Sequence, residues 1–367
     1  GASDWMLTVL SMAPFLGFIA SFLANRLSDR FAWGPLYGTI MILGQICLIG
    51  YVIADSASSI IWLFVALQIF AQSVRSVNLS LFKRYVRQKM RPEVLKWTRG
   101  ITLVISVPAA WLAGLILDLD ETYYQWFFPL IGTIAIPFYM VWLGLIDSPK
   151  TTHQSNPEKR KLFCPRKEWR VLTTDHQFAW FMAAFFIGTF GEKMIMPITP
   201  VLLSDVLHLK YSDIGMAIGI IGPILHISGF FLWAQVLRHW SPYTIVTICM
   251  FLKATRPFLW GLTPYVDNPL FLIATGEAIF KLMVSGMEMG SIVAVMMMAT
   301  KENSNTYMSI HYLLMGVRGI AGPLMGYGYL RMSWPLQYAY WMVGGIVIFG
   351  GFVLLHFLYR HPKAKTT

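Results

Sequence analysis

Of the 367 residues, 56% are hydrophobic and only 13% are charged. That balance excludes an ordinary water-soluble domain of this length and suits a chain that crosses a membrane many times. The formal charge of +11 does not point to nucleic acid, because the basic residues lie in short stretches between apolar runs, where cytoplasmic loops carry them.

Taken in chain order, eleven apolar runs of the length that spans a bilayer are predicted as helices, at 5–25, 34–54, 59–82, 98–118, 124–146, 177–203, 211–236, 242–262, 269–300, 306–331 and 336–358. The first begins almost at Gly1, with no charged, apolar and small-residue signal ahead of it. Cys47, Cys164 and Cys249 are scattered, with neither a disulfide framework nor a metal-ligand spacing, and read as structural residues. Trp5, Trp62, Trp126, Trp260 and Trp334 lie near run ends and are expected as interfacial anchors.

The connecting segments alternate in charge. One set holds Arg26 and Arg30, then Lys83 to Arg99, then Lys150 to Arg170, then Arg238, Lys301 and the tail residues Arg360, Lys363 and Lys365. The other set is acidic or neutral, with Asp55, Asp118, Asp120, Glu121, Asp205, Asp213 and Asp267, and only Lys210 and Arg331 go against it. The positive set is therefore expected in the cytoplasm, with the C-terminus, in a cell (inner or plasma) membrane. Segment 147–176, polar and containing Pro149, Pro157 and Pro165, is the one linker and separates a half bundle at 1–146 from another at 177–367.

The two halves echo each other. Ser3, Asp4 and Pro14 recur as Ser212, Asp213 and Pro223 at one constant shift of 209, and Ile69-Phe70 and Ile279-Phe280 lie near the same shift. A repeat inside an apolar chain is the mark of a transporter made of two parallel membrane repeats.

With these features the chain resembles the major facilitator superfamily (MFS). That family has twelve helices in two six-helix bundles around a central cavity, so the resemblance implies an all-α polytopic fold and one further helix ahead of Gly1. The family's signature after its second helix is matched in part by Asn25-Arg26-Leu27-Ser28-Asp29-Arg30: Leu27, Asp29 and Arg30 agree, while the glycines and the closing basic pair do not. The resemblance assigns Asp29 and Arg30 to a gating loop. Arg75-Ser76-Val77-Asn78 partly matches the arginine motif of the fourth family helix, which implies a substrate or proton-coupling role for Arg75 and Asn78. Gly319-Ile320-Ala321-Gly322-Pro323-Leu324-Met325-Gly326 resembles the family's Gly- and Pro-rich pattern, and small residues at that spacing serve close helix packing or gating.

Charged groups at membrane depth are costly and usually face a cavity or each other. Near mid-run lie Arg75, Glu192, Lys193, Lys253, Arg256, Glu277, Lys281, Glu288 and Arg318, six bases against three acids. The excess of positive charge points to an anionic substrate. Glu277 and Lys281 are four apart, so they can pair on one helix face, either to let the helix insert or as a switch lining the cavity. Glu192 and Lys193 point about 100° apart and cannot share one target. Arg318 is suited to gripping a carboxylate or phosphate, or to a salt bridge with Glu288 or Glu277. Lys253 and Arg256 are expected to snorkel or pair. His226 and His311 are packing residues or proton carriers.

The expected function is secondary active transport of a small solute by alternating access, with an organic anion as substrate, a proton as coupling ion, membrane lipid as surroundings and a monomer as the unit. No cofactor is implied. An exporter of amphipathic compounds and a non-transporting sensor or assembly protein on the same fold are the alternatives. The sequence contains no His-Glu-x-x-His, Gly-x-Ser-x-Gly or phosphate-binding Gly-rich motif, so an enzyme is not expected.

Overall fold

The computed structural model describes residues 3–27, 33–74, 121–145, 165–209, 211–300 and 304–360, with shorter stretches between 86 and 109. The described elements are helical: α1 (Asp4–Leu27), α2 (Trp33–Ile49), α3 (Ala57–Ser73), α4 (Tyr124–Leu145), α5 (Pro165–Thr174), α6 (His176–Met194) and α7 (Ile198–Val201) come first. They are followed by α8 (Tyr211–Ile214), α9 (Gly222–Val236), α10 (Pro242–Lys253), α11 (Thr255–Gly261), α12 (Pro269–Met298), α13 (Ser304–Arg331) and α14 (Leu336–Arg360).

By length and composition five described helices can cross a membrane, or six when α6 and the helical stretch to Val206 count as one span bent by 40°. The expectation of eleven is thus not reached among the described residues. Part of the difference is physical. Run 242–262 breaks at Ala254, because Pro257 has no N–H to bond the carbonyl of Lys253. Run 177–203 bends after Met194, where Pro197 and Pro200 do the same. Run 98–118 and the end of 59–82 lie largely outside the described residues.

Contacts divide the chain into two compact units. The first joins residues 1–85, 116–179 and 301–320. In it α1 packs on α3, and α2 packs on both α3 and α4. Val9, Met12, Ala13 and Val65 form a buried cluster, with Leu16, Ile61, Phe64, Ile69 and Ile320 against it. The approach of α1 to α3 requires Gly17, since a methyl there would lie 2.5 Å from Gln72 Cβ and 2.6 Å from the Gln68 carbonyl. Ser56 and Ser59 form a reciprocal cap at the start of α3. Asp175 caps α6 by accepting from the Phe178 N–H at 3.0 Å, and its other oxygen accepts from the Tyr307 hydroxyl at 2.6 Å. That bond ties the start of α13 to the start of α6.

The second unit joins 86–115, 180–300 and 321–367. Its centre is α12, a 30-residue helix started by Asn268, whose side chain accepts from the Phe271 N–H, and by Pro269 in the first turn. Helices α9, α10 and α11 all pack on α12, and α14 packs on α10 and α11. Segment 215–221, ahead of α9, is a π-helix running up to Pro223. A wider turn there accommodates a proline that gives up one backbone donor.

Candidate functional site

The second unit draws its charges together where its helices break. Glu192 and Lys193 occupy the last turn of α6, ahead of Pro197. Lys253 ends α10, and Arg256 follows in the first turn of α11. Glu192 and Lys253 form a salt bridge, with Lys253 fully buried and Glu192 largely so. A lysine at a helix C-terminus also meets the carbonyl end of the helix dipole favourably.

One turn further along, Arg256 Nε reaches Glu277 Oε2 at 3.0 Å. Lys281 Nζ lies 3.5 Å from Glu277 Oε1, so the i,i+4 pair on α12 is closed. The Glu277 carboxylate is thus held between two cations and is almost wholly buried, while Lys281 remains 30% exposed. Gly222 on α9 faces this pair; a methyl there would lie 3.4 Å from the γ-carbons of both Glu277 and Lys281.

The Arg256 guanidinium sits 4.3 Å from the ring centroid of Trp260 and 4.3 Å from that of Phe280. A planar, weakly hydrated cation between two aromatic rings keeps part of the stabilisation it loses on leaving water. The Trp260 indole donates to the Ile273 carbonyl at 3.2 Å, and the Trp260 ring neighbours that of Tyr340. This corrects one expectation. Trp5, Trp62, Trp126 and Trp334 are exposed, but Trp260 is completely buried, because its ring covers the buried arginine four residues before it. The i,i+4 spacing of Arg256 and Trp260 was the available signal.

Lower on α12, Glu288 lies 3.8 Å from His226 Nε2 of α9. Glu277, Lys281 and Glu288 share one face of α12, at turns zero, one and three. Lys193 points away from Glu192: its Cβ abuts Gly322 of α13, where a methyl would come within 2.5 Å. Gly326 packs as tightly on the Met194 carbonyl, so the Gly-rich stretch of α13 serves close helix packing. Arg318 and His311 are both buried, two turns apart on α13 in the first unit. Glu277 is therefore engaged by Arg256 and Lys281, and Glu288 faces His226. Arg75, Asn78, Asp29 and Arg30 lie outside the described residues.

The sequence matches the profile of the Major Facilitator Superfamily over residues 2–306. The chain belongs to the Major Facilitator Superfamily. Two solved MFS structures are similar in fold. A nucleoside transporter, NupG, aligns at a TM-score of 0.67 with 12% identity, over 96% of this chain and 91% of its own. The human organic anion transporter MFSD10 (TETRAN) aligns at 0.69 with 13% identity, over 95% of this chain and 83% of its own. None of the curated proteins matches in sequence. The protein is thus a multi-pass membrane protein with the MFS transporter fold.

Proposed function

We propose that this MFS protein is a secondary transporter of a small organic anion, coupled to protons, working as a monomer by alternating access. The observation that carries the reading is Glu277, one buried carboxylate between Arg256 and the partly exposed Lys281. Protonation of Glu277 discharges it and releases the Lys281 ammonium. An incoming anion then takes the released cation, so proton and anion occupancy rise together. Glu192 with Lys253 is a second site of the same chemistry, located where two helices are broken, and broken helices are a recurrent setting for substrate and ion sites in transporters. Arg318, Lys193, Arg75 and Asn78 are assigned to substrate contact, and Asp29 and Arg30 to the gate. The excess of bases over acids at membrane depth favours an anion over a cationic drug. The loop charges favour a plasma-membrane orientation with the C-terminus in the cytoplasm.

A thermal-shift panel tests this on the detergent-solubilised protein, with organic anions, sugar phosphates, neutral sugars and lipophilic cations. A ligand at a hundred times its Kd stabilises by about 2.7 kcal/mol. Shifts with anions that vanish in Lys281→Ala and Arg318→Ala support the anion carrier. Shifts confined to neutral or cationic amphiphiles overturn it in favour of an exporter of amphipathic compounds.

A further inference from the structure

A cavity of about 680 Å³ opens at the far end of the second unit, where α9 ends and α10 begins. Gln235, Arg238, His239 and Trp240 form its polar rim, and Trp233, Val236 and Ile248 its apolar lining. Among the described residues, no hydrogen bond engages the side chains of Gln235, His239 or Trp240. Arg238 is two-thirds exposed and reaches Glu93 at 3.4 Å, across a contact that also stacks Trp97 edge-on against Phe231. Above the rim the surface stays apolar. Leu232 is exposed one turn from Val236 and Gln235 on α9, and Leu252 is exposed one turn from Ile248 on α10. Both helices pack on α12.

We infer that this cavity is a site for an anionic phospholipid. The rim supplies a guanidinium, an imidazole, an amide and an indole N–H to a phosphate and its glycerol esters. The track from Val236 and Ile248 to Leu232 and Leu252 supplies a bed for an acyl chain. Arginine and histidine match the charge of an anionic headgroup, and an exposed tryptophan beside them suits the headgroup level. This end of α9 carries the basic loop, which the charge bias assigns to the cytoplasmic leaflet, where anionic lipids concentrate. Glu93 is the acidic neighbour at the rim and competes with the headgroup for Arg238.

The test is thermal unfolding of the full-length chain in mild detergent, titrated separately with short-chain phosphatidylglycerol, phosphatidylcholine of equal chain length, and inorganic phosphate. Phosphatidylglycerol is expected to raise Tm with saturation, and the other two are not. Arg238→Gln raises the half-saturating lipid concentration about fivefold, the weight of one basic residue at an anionic surface. Glu93→Gln lowers it, because Arg238 is freed. Trp240→Ala, an exposed position that leaves the Arg238–Glu93 contact intact, weakens lipid binding as well. The absence of a phosphatidylglycerol shift overturns the site. So does an equal shift with phosphate, which would mean a free-anion site. If Arg238→Gln and Glu93→Gln change lipid binding in the same direction, Arg238 serves only the contact with Glu93, and the inference falls.

Discussion

The described helices in the two halves of this MFS protein treat charge in opposite ways. Helices α1 to α4 contain only Asp4, in the first turn of α1, and Arg26, at its far end, as charged residues. They are held by apolar clusters and by close approaches at small residues, as where Gly17 meets α3. Helices α6, α10, α11 and α12 carry Glu192, Lys253, Arg256, Glu277, Lys281 and Glu288, with each carboxylate set against a base. The repeat helices show the contrast in their backbones too. Pro14 lies inside a continuous α1, whereas its counterpart Pro223 follows a π-helical stretch. Among the described residues, one copy of the plan is therefore apolar and continuous where the other bears charges and breaks its helices. Ion pairs inside a membrane are poor sources of stability relative to apolar packing. Their place among the described helices of the second half therefore points to a task other than holding the fold.

The largest effect is expected from removing one partner of a buried pair. Glu277→Ala leaves Arg256 and Lys281 facing each other without a counter-charge, and is expected to cost about 3–5 kcal/mol in thermal unfolding in detergent. Replacing Glu192 and Lys253 together, as Glu192→Leu with Lys253→Met, is expected to leave the fold as stable as before or more so, while uptake is lost. A double variant that still transports would make that pair purely structural. In the apolar half, Gly17→Leu forces α1 off α3 at an expected cost of about 1–3 kcal/mol. If it proves costlier than Glu277→Ala, the charge network is not what distinguishes the second half.

Arg256→Lys keeps the charge but loses the planar fit between Trp260 and Phe280. A loss of about 1–2 kcal/mol is expected, and a unilateral Phe280→Leu change should recover part of the same effect. Lys281→Ala is expected to cost less stability than Glu277→Ala, because Arg256 still holds the Glu277 carboxylate. The same variant is expected to abolish the anion-dependent thermal shift, so stability and ligand response separate at this residue.

Much of the architecture was legible in the chain. The constant shift between Ser3-Asp4-Pro14 and Ser212-Asp213-Pro223 and the apolar runs lead to the MFS fold, because periodicity and span length are properties of local sequence. The Glu277–Lys281 pair was legible for the same reason: both ends lie on one helix. The pairing of Glu192 with Lys253 was not, since it depends on which helices become neighbours after folding. The preference for pairing at Lys253 and Arg256 was visible, but not the partners. Trp260 was misread because the end of an apolar run looks alike whether it reaches the lipid interface or turns inward over a buried arginine. The break after Lys253 was written in Pro257, yet a run of apolar residues on both sides concealed it.

In the proposed mechanism, Glu277 links proton and anion occupancy. Uptake of a labelled organic anion, chosen from the thermal-shift panel, into proteoliposomes with and without an inward proton gradient reads that link. The wild-type protein is predicted to accumulate the anion faster when the gradient is imposed, and Glu277→Gln to show the same slow uptake with or without it. A Glu277→Gln variant that keeps the full response to the gradient would contradict the account and leave the buried carboxylate as a structural counter-charge.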